Sequence, residues 1–132
     1  MSDFPVTVFH NPACGTSRKV VGMVEAAGYR PEVVEYLKAG WGAEQLRDLF
    51  ARAGITPREA LRERGSPAAE LGLLEAGVSD EAIVAAMVEH PILVNRPIVS
   101  TPKGAALCRP AERAFDLLER GAEGRLATSP AP

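Results

Sequence analysis

Cys14 stands in the stretch His10-Asn11-Pro12-Ala13-Cys14-Gly15-Thr16-Ser17-Arg18. An alternating apolar run (Phe4, Val6, Val8) precedes it, and an apolar pattern at helical spacing (Val20, Met23, Val24, Ala27) follows. That order places a thiol in the turn between a first strand and a first helix. Free backbone N–H groups at a helix start, and the positive end of the helix dipole, favour negative charge there. A thiol so placed ionises more readily than in water and becomes a nucleophile near neutral pH. His10 could donate to such a thiolate or simply close the first strand. Thr16 or Ser17 is expected to cap the helix, and either hydroxyl could also reach the sulfur. Cysteine is equally a small buried hydrophobe; the flanking Pro12 and Gly15 and the polar residues that follow favour the reactive reading.

Two local explanations for a reactive thiol fail on residue type. Ser17 occupies the position where a Cys-x-x-Cys dithiol would carry its second cysteine, so nothing nearby can resolve an oxidised or covalent intermediate. A cysteine phosphatase, of pattern Cys-x5-Arg, would need arginine where Val20 stands. An oxyanion clamp would therefore have to come from elsewhere. Arg62, Arg96 (before Pro97) and Arg109 are candidates, because guanidinium forks donate paired hydrogen bonds to tetrahedral oxyanions. Residue type alone leaves each of them open between that role and solvated surface. His90 before Pro91, and Cys108 beside Leu107, read as structural.

The elements that must position these groups are legible in outline. A strand over residues 4–9 and a helix running to about Gly28 precede a second strand at Glu32–Tyr36, which makes a βαβ unit with a parallel pair. A helix with Leu46, Leu49, Phe50 and Ala53 on one face ends at Gly54. Thr56-Pro57-Arg58-Glu59 then predicts the start of a short helix carrying Arg62 and Arg64, broken by Gly65-Ser66-Pro67. Ala68–Leu74 reads as a helical turn. Ser79-Asp80-Glu81 opens a further helix, with Ile83, Val84, Met87 and Val88 inward, ended by His90-Pro91. Ile98–Thr101 and Ala105–Cys108 form an antiparallel hairpin through Pro102-Lys103-Gly104. A last helix puts Ala111, Ala114, Phe115 and Leu118 inward. The order β-α-β, helical block, β-β-α is a thioredoxin-like α/β arrangement: a four-stranded mixed sheet in a domain spanning 1–120, with a helical insertion over about 43–90. The Gly, Ala, Ser and Pro composition of 121–132 predicts a disordered tail.

Composition bounds the partners. Across 132 residues, 15 basic and 17 acidic side chains leave a net charge of −2, which argues against general binding to nucleic acid or an anionic membrane. No apolar run approaches the ~20 residues that span a bilayer. No secretory signal is visible, so the two cysteines are expected free in a reducing cytoplasm.

Taken together, His10–Arg18, Leu71-Gly72-Leu73, His90-Pro91-Ile92-Leu93-Val94-Asn95-Arg96-Pro97-Ile98-Val99 and Leu107-Cys108-Arg109-Pro110 resemble the glutaredoxin-coupled arsenate reductase family (ArsC), in order, from about residue 5 to 120. The resemblance implies a thioredoxin-like fold with a helical insertion and a cis peptide at Arg96-Pro97. It implies that Cys14 attacks arsenate to form a covalent adduct, that His10 and Ser17 help depress the thiol pKa, and that Arg62, Arg96 and Arg109 hold the oxyanion. Glutathione as co-substrate and glutaredoxin as partner would complete the cycle, with no bound cofactor and no metal. Two other readings stay open: a non-catalytic regulator similar to the Spx branch, whose Cys-x-x-Cys Ser17 disfavours, and a monothiol glutaredoxin-like carrier, which has no use for three arginines at one thiol.

Overall fold

The structure, a computed structural model, describes residues 4–118. Four short strands, β1 (Thr7–His10), β2 (Glu32–Glu35), β3 (Ile98–Thr101) and β4 (Gly104–Leu107), form one sheet in the order β2-β1-β3-β4. β1 pairs parallel with β2 (Thr7 opposite Glu32) and antiparallel with β3 (Val8 opposite Val99), and β3 pairs antiparallel with β4. This is the thioredoxin-like mixed sheet expected from the element order.

Because successive strand residues point to opposite faces, each central strand serves two cores. Val8 and Val99 face one side, where they meet Val20 and Val24 of α1 (Gly15–Ala26) and the C-terminal 3-10 segment Ala111–Leu117. Phe9 and Ile98 face the other side, under the helical block of α2 (Tyr36–Ala39), α3 (Ala43–Ala53) and α4 (Asp80–Glu89). Phe9, Trp41 and Tyr36 form a ring cluster beneath that block, with centroids 5.0 Å (Phe9–Trp41) and 5.2 Å (Tyr36–Trp41) apart. Arg52, on the last turn of α3, fastens the block to the hairpin through Ser100 Oγ at 2.8 Å, the Thr101 carbonyl at 2.6 Å and the Gly104 carbonyl at 3.1 Å.

Several expectations are corrected. β1 begins at Thr7 rather than residue 4, and Tyr36 leaves β2 to open the short helix α2. The short helix expected after Thr56 is a run of turns. Thr56 and Glu59 do exchange cap bonds at 2.8 and 3.1 Å, but Leu61 then pairs as a bridge with Val94 and Arg62 N donates to the Leu93 carbonyl. Extended pairing with a distant segment outcompetes a helix too short to nucleate. Arg58 holds the following turns, donating to the carbonyls of Leu73, Glu75 and Val78. Val88 is exposed rather than inward, whereas Ile83, Val84 and Met87 are buried. The last helix is 3-10 in form; it buries Ala111, Ala114 and Leu118 as expected, packs Phe115 partly buried against the same core, and buries Leu117 as well. Cys108 falls just beyond β4, which starts one residue earlier than expected, and is fully buried. The expected tail, residues 121–132, lies outside the described residues.

Candidate active site

Cys14 occupies the N-cap of α1, with φ −98° and ψ 122°. This corrects the expectation that Thr16 or Ser17 caps the helix: both lie inside its first turn. The sulfur stands where a capping oxygen would, without closing a full cap bond. The loop before it is held by its own polar groups. Cys14 N donates to the Asn11 carbonyl at 2.9 Å, Ala13 N to Asn11 Oδ1 at 2.9 Å, and Asn11 N to Ser17 Oγ at 3.3 Å. Arg18 reaches back to the Pro12 carbonyl at 2.7 Å. Ser17, 0% exposed, thus braces the loop from beneath as well as facing the sulfur.

Burial pushes the Cys14 thiol up, but the Ser17 N–H, the charge of Arg96, the Ser17 hydroxyl and a hydrogen bond from Arg96 outweigh it, bringing the pKa down to about 7. His10 ends β1. Its pKa is lowered by burial, with Glu35 opposing and Arg18 reinforcing, and Cys14 is not among the groups that shift it. Its Nδ1 is buried without a hydrogen-bond partner among the described residues. A neutral imidazole is what burial dictates there.

The fold brings Arg62, Arg96 and Arg109 to one place. The Leu61–Val94 bridge, with Asn95 N donating to the Ala60 carbonyl at 2.8 Å, lays the Arg62 segment beside that of Arg96. Arg109 Nη1 donates to the Arg96 carbonyl at 3.0 Å and reaches Cys14 Sγ at 4.0 Å. The three arginines, with Arg64, Glu63 and Asn95, line a cavity of about 370 Å³. Asn95 Oδ1 accepts from Arg96 Nη1 at 3.2 Å, while Arg96 Nε is buried with no partner among the described residues. The Arg62 pKa is lowered, first by burial and then by the Arg96 charge, as expected for cations held close together. Gly65 permits the Arg62 pose: its φ is +71°, and a Cβ there would lie 2.7 Å from Arg62 Nη2. Arg96-Pro97 and Arg109-Pro110 are both cis.

Such a site combines an ionisable thiol with converging guanidiniums. It suits nucleophilic attack on a tetrahedral oxyanion. The ArsC family profile matches residues 9–116. The chain belongs to the ArsC family. It is 58% identical over 127 residues to the arsenate reductase ArsI1 of Synechocystis sp., covering 96% of this chain and 88% of that protein. It is 53% identical to the arsenate reductase of Rhizobium meliloti, covering 86% and 81%. The solved structure of an arsenate reductase from Vibrio cholerae superposes with a TM-score of 0.84 at 35% identity, covering 89% of this chain and 100% of that one.

Two residues of this ArsC site escaped the sequence reading. In the sequence Asn11 is one residue of the motif without a role of its own, yet its side chain holds the Cys14 loop. The sequence places Tyr36 at the end of a strand, yet its ring is 1% exposed and its hydroxyl lies in the field of Arg96, Arg62 and Cys14. That hydroxyl has the Asn11 side chain beside it but meets full hydrogen-bond geometry with no group among the described residues. Burial raises its pKa, with the Arg96 charge foremost in opposition, so it stays a neutral donor. Tyr36 carries no local signal because the groups around its hydroxyl lie far along the chain, whereas the Asn11 contact is local, its side chain accepting from Ala13 N two residues on.

Proposed function

We propose that this chain reduces arsenate to arsenite through a covalent adduct on Cys14. The observation that carries the reading is Arg109, which reaches Cys14 Sγ at 4.0 Å and lines one cavity with Arg62 and Arg96. Arsenate seated on these guanidiniums presents its arsenic to the thiolate. The Cys14 thiolate forms a bond to arsenic, and one arsenate hydroxyl, taking up a proton from solvent or from another oxygen of the bound arsenate, leaves as water. Ser17 is assigned to the thiol, whose thiolate it stabilises directly, and His10 stands as a neutral imidazole at the end of β1, four residues before Cys14.

The adduct needs a second thiol, and Cys108 cannot supply it, being fully buried with its pKa pushed up to about 12 by burial. Glutathione is assigned this step. Its sulfur bonds to Cys14 Sγ, the electron pair of the sulfur–arsenic bond passes to arsenic, and its thiol proton goes to an arsenic-bound oxygen. Arsenic gains two electrons, each sulfur loses one, and As(OH)3 leaves. Glutaredoxin then reduces the Cys14–glutathione disulfide and restores the thiolate. No bound cofactor or metal is needed for this sequence. Both cysteines are free, which suits a reducing compartment such as the cytoplasm.

The test is NADPH consumption with glutathione, glutathione reductase and glutaredoxin, with and without arsenate. Arsenate-dependent consumption that disappears in Cys14→Ser is the expected result. Consumption on glutathione mixed disulfides with no arsenate requirement would instead support a thiol carrier. Capture of RNA polymerase without reductase activity would support a regulator.

A further inference from the structure

Arg109, the residue that touches Cys14 Sγ, lines two cavities. The second, of about 380 Å³, is formed by Thr16 and Lys19 on the first turns of α1 facing Arg109, Pro110, Ala111 and Glu112. The two differ in chemistry. The first sets four guanidiniums (Arg62, Arg64, Arg96, Arg109) against Glu63. Away from Arg109, the second carries one charge of each sign, with Lys19 Nζ and Glu112 Oε2 3.1 Å apart.

We infer that this second cleft seats the reducing thiol, and that the thiol is a small peptide bearing both a carboxylate and an ammonium group, the class to which glutathione belongs. The inference rests on the function proposed above and adds a place for its co-substrate. Three physical points support it. Cys14 has no resolving partner in its own chain, so a thiol must reach it from solution while the oxyanion occupies the arginine cavity. The second cleft shares with the arginine cavity only Arg109, the residue that touches the sulfur, and its size suits a small-peptide ligand. Lys19 and Glu112 are 59% and 54% exposed, and a surface pair of that kind holds together weakly. A zwitterion exchanges into it readily, its carboxylate taking Lys19 and its ammonium taking Glu112. The Arg109 charge then favours the thiolate of the incoming group at the point of attack.

The experiment compares the wild type, Lys19→Glu, Glu112→Lys and the double charge swap at saturating arsenate, using glutathione or 2-mercaptoethanol as the reducing thiol. Each single variant is expected to raise the KM for glutathione about five- to tenfold, as lost charge-assisted contacts do. The KM for arsenate, and the rates with uncharged 2-mercaptoethanol, are expected to stay as in the wild type. The double swap should recover part of the glutathione KM. In parallel, S-methylglutathione, which carries both charges but cannot react, is titrated into the arsenate-free protein, with the amides of Lys19 and Glu112 followed by NMR. Equal glutathione KM values across the four proteins, amide shifts confined to other residues, or an effect on the glutaredoxin KM alone would overturn the inference. A wild type that oxidises neither thiol in response to arsenate would instead sink the proposed function, and the titration would still report on the cleft.

Discussion

The pKa of Cys14 offers the most direct test of the site. At about 7, half of the thiol is ionised at pH 7, against roughly 3% for a free thiol of pKa ~8.5. That is about a 15-fold excess of thiolate. A thiolate of lower pKa is also a weaker nucleophile: with a Brønsted coefficient of ~0.4–0.5, a shift of about 1.5 units slows the intrinsic reaction roughly fivefold. The net advantage is about threefold at pH 7, grows below it and reverses near pH 8. Restricted access, with Cys14 7% exposed, lowers every rate by a factor that does not depend on pH, so the midpoint of the profile is the quantity to read. Alkylation by iodoacetamide between pH 5 and 9.5, followed by mass spectrometry, gives that midpoint site by site. The wild type should titrate near 7, with one label per chain, at Cys14. Arg96→Met removes a charge and a hydrogen bond that favour the thiolate, so its midpoint should move up toward the free-thiol value, while His10→Ala should leave it in place. A wild-type midpoint at ~8.5, or no movement in Arg96→Met, would refute the account of thiol activation.

Other outcomes follow from the packing. Cys108, with its pKa raised to about 12 by burial, favours the neutral thiol in the folded state. Its contribution to stability is therefore full below ~8.5 and is lost as pH rises from there toward 12. Urea denaturation from pH 8 to 10.5 should show a shallower alkaline decline in Cys108→Ala than in the wild type, and parallel curves would contradict this. Ser79 Oγ accepts from Ala82 N at 3.1 Å at the start of α4. Ser79→Ala should cost about 1 kcal/mol by the same measurement, and a loss below ~0.3 would mean that the cap is idle. Arg52→Met removes three hydrogen bonds between α3 and the β3–β4 hairpin. With the side chain partly exposed, the expected loss is about 2 kcal/mol. The amides of Ser100–Gly104 should exchange faster, and unchanged exchange there would show that the hairpin does not depend on α3.

The sequence by itself determined the local features. The alternation Val6, Val8 and the i, i+3, i+7 burial of Ser17, Val20 and Val24 follow from periods of two and 3.6 residues. The Ser79 cap and the hairpin turn at Pro102–Gly104 were legible for the same reason: their partners lie within four residues. The thiol at a helix start belongs to this class too, since a helix end leaves its N–H groups free wherever it occurs. The arginine trio came from the family resemblance, because residue type alone does not separate a ligand from a surface cation. Tertiary structure decided what depends on distant partners. The segment 56–64 became turns because Leu61 found Val94, and Val88 stayed outside because α4 is covered on one side only. Arg109 meets a sulfur 95 residues away. The thiol pKa is set by opposing effects, with burial raising it and Ser17 and Arg96 lowering it. The helix start gave the direction of the shift, but its size needed coordinates, because desolvation and Coulomb attraction both vary steeply with distance.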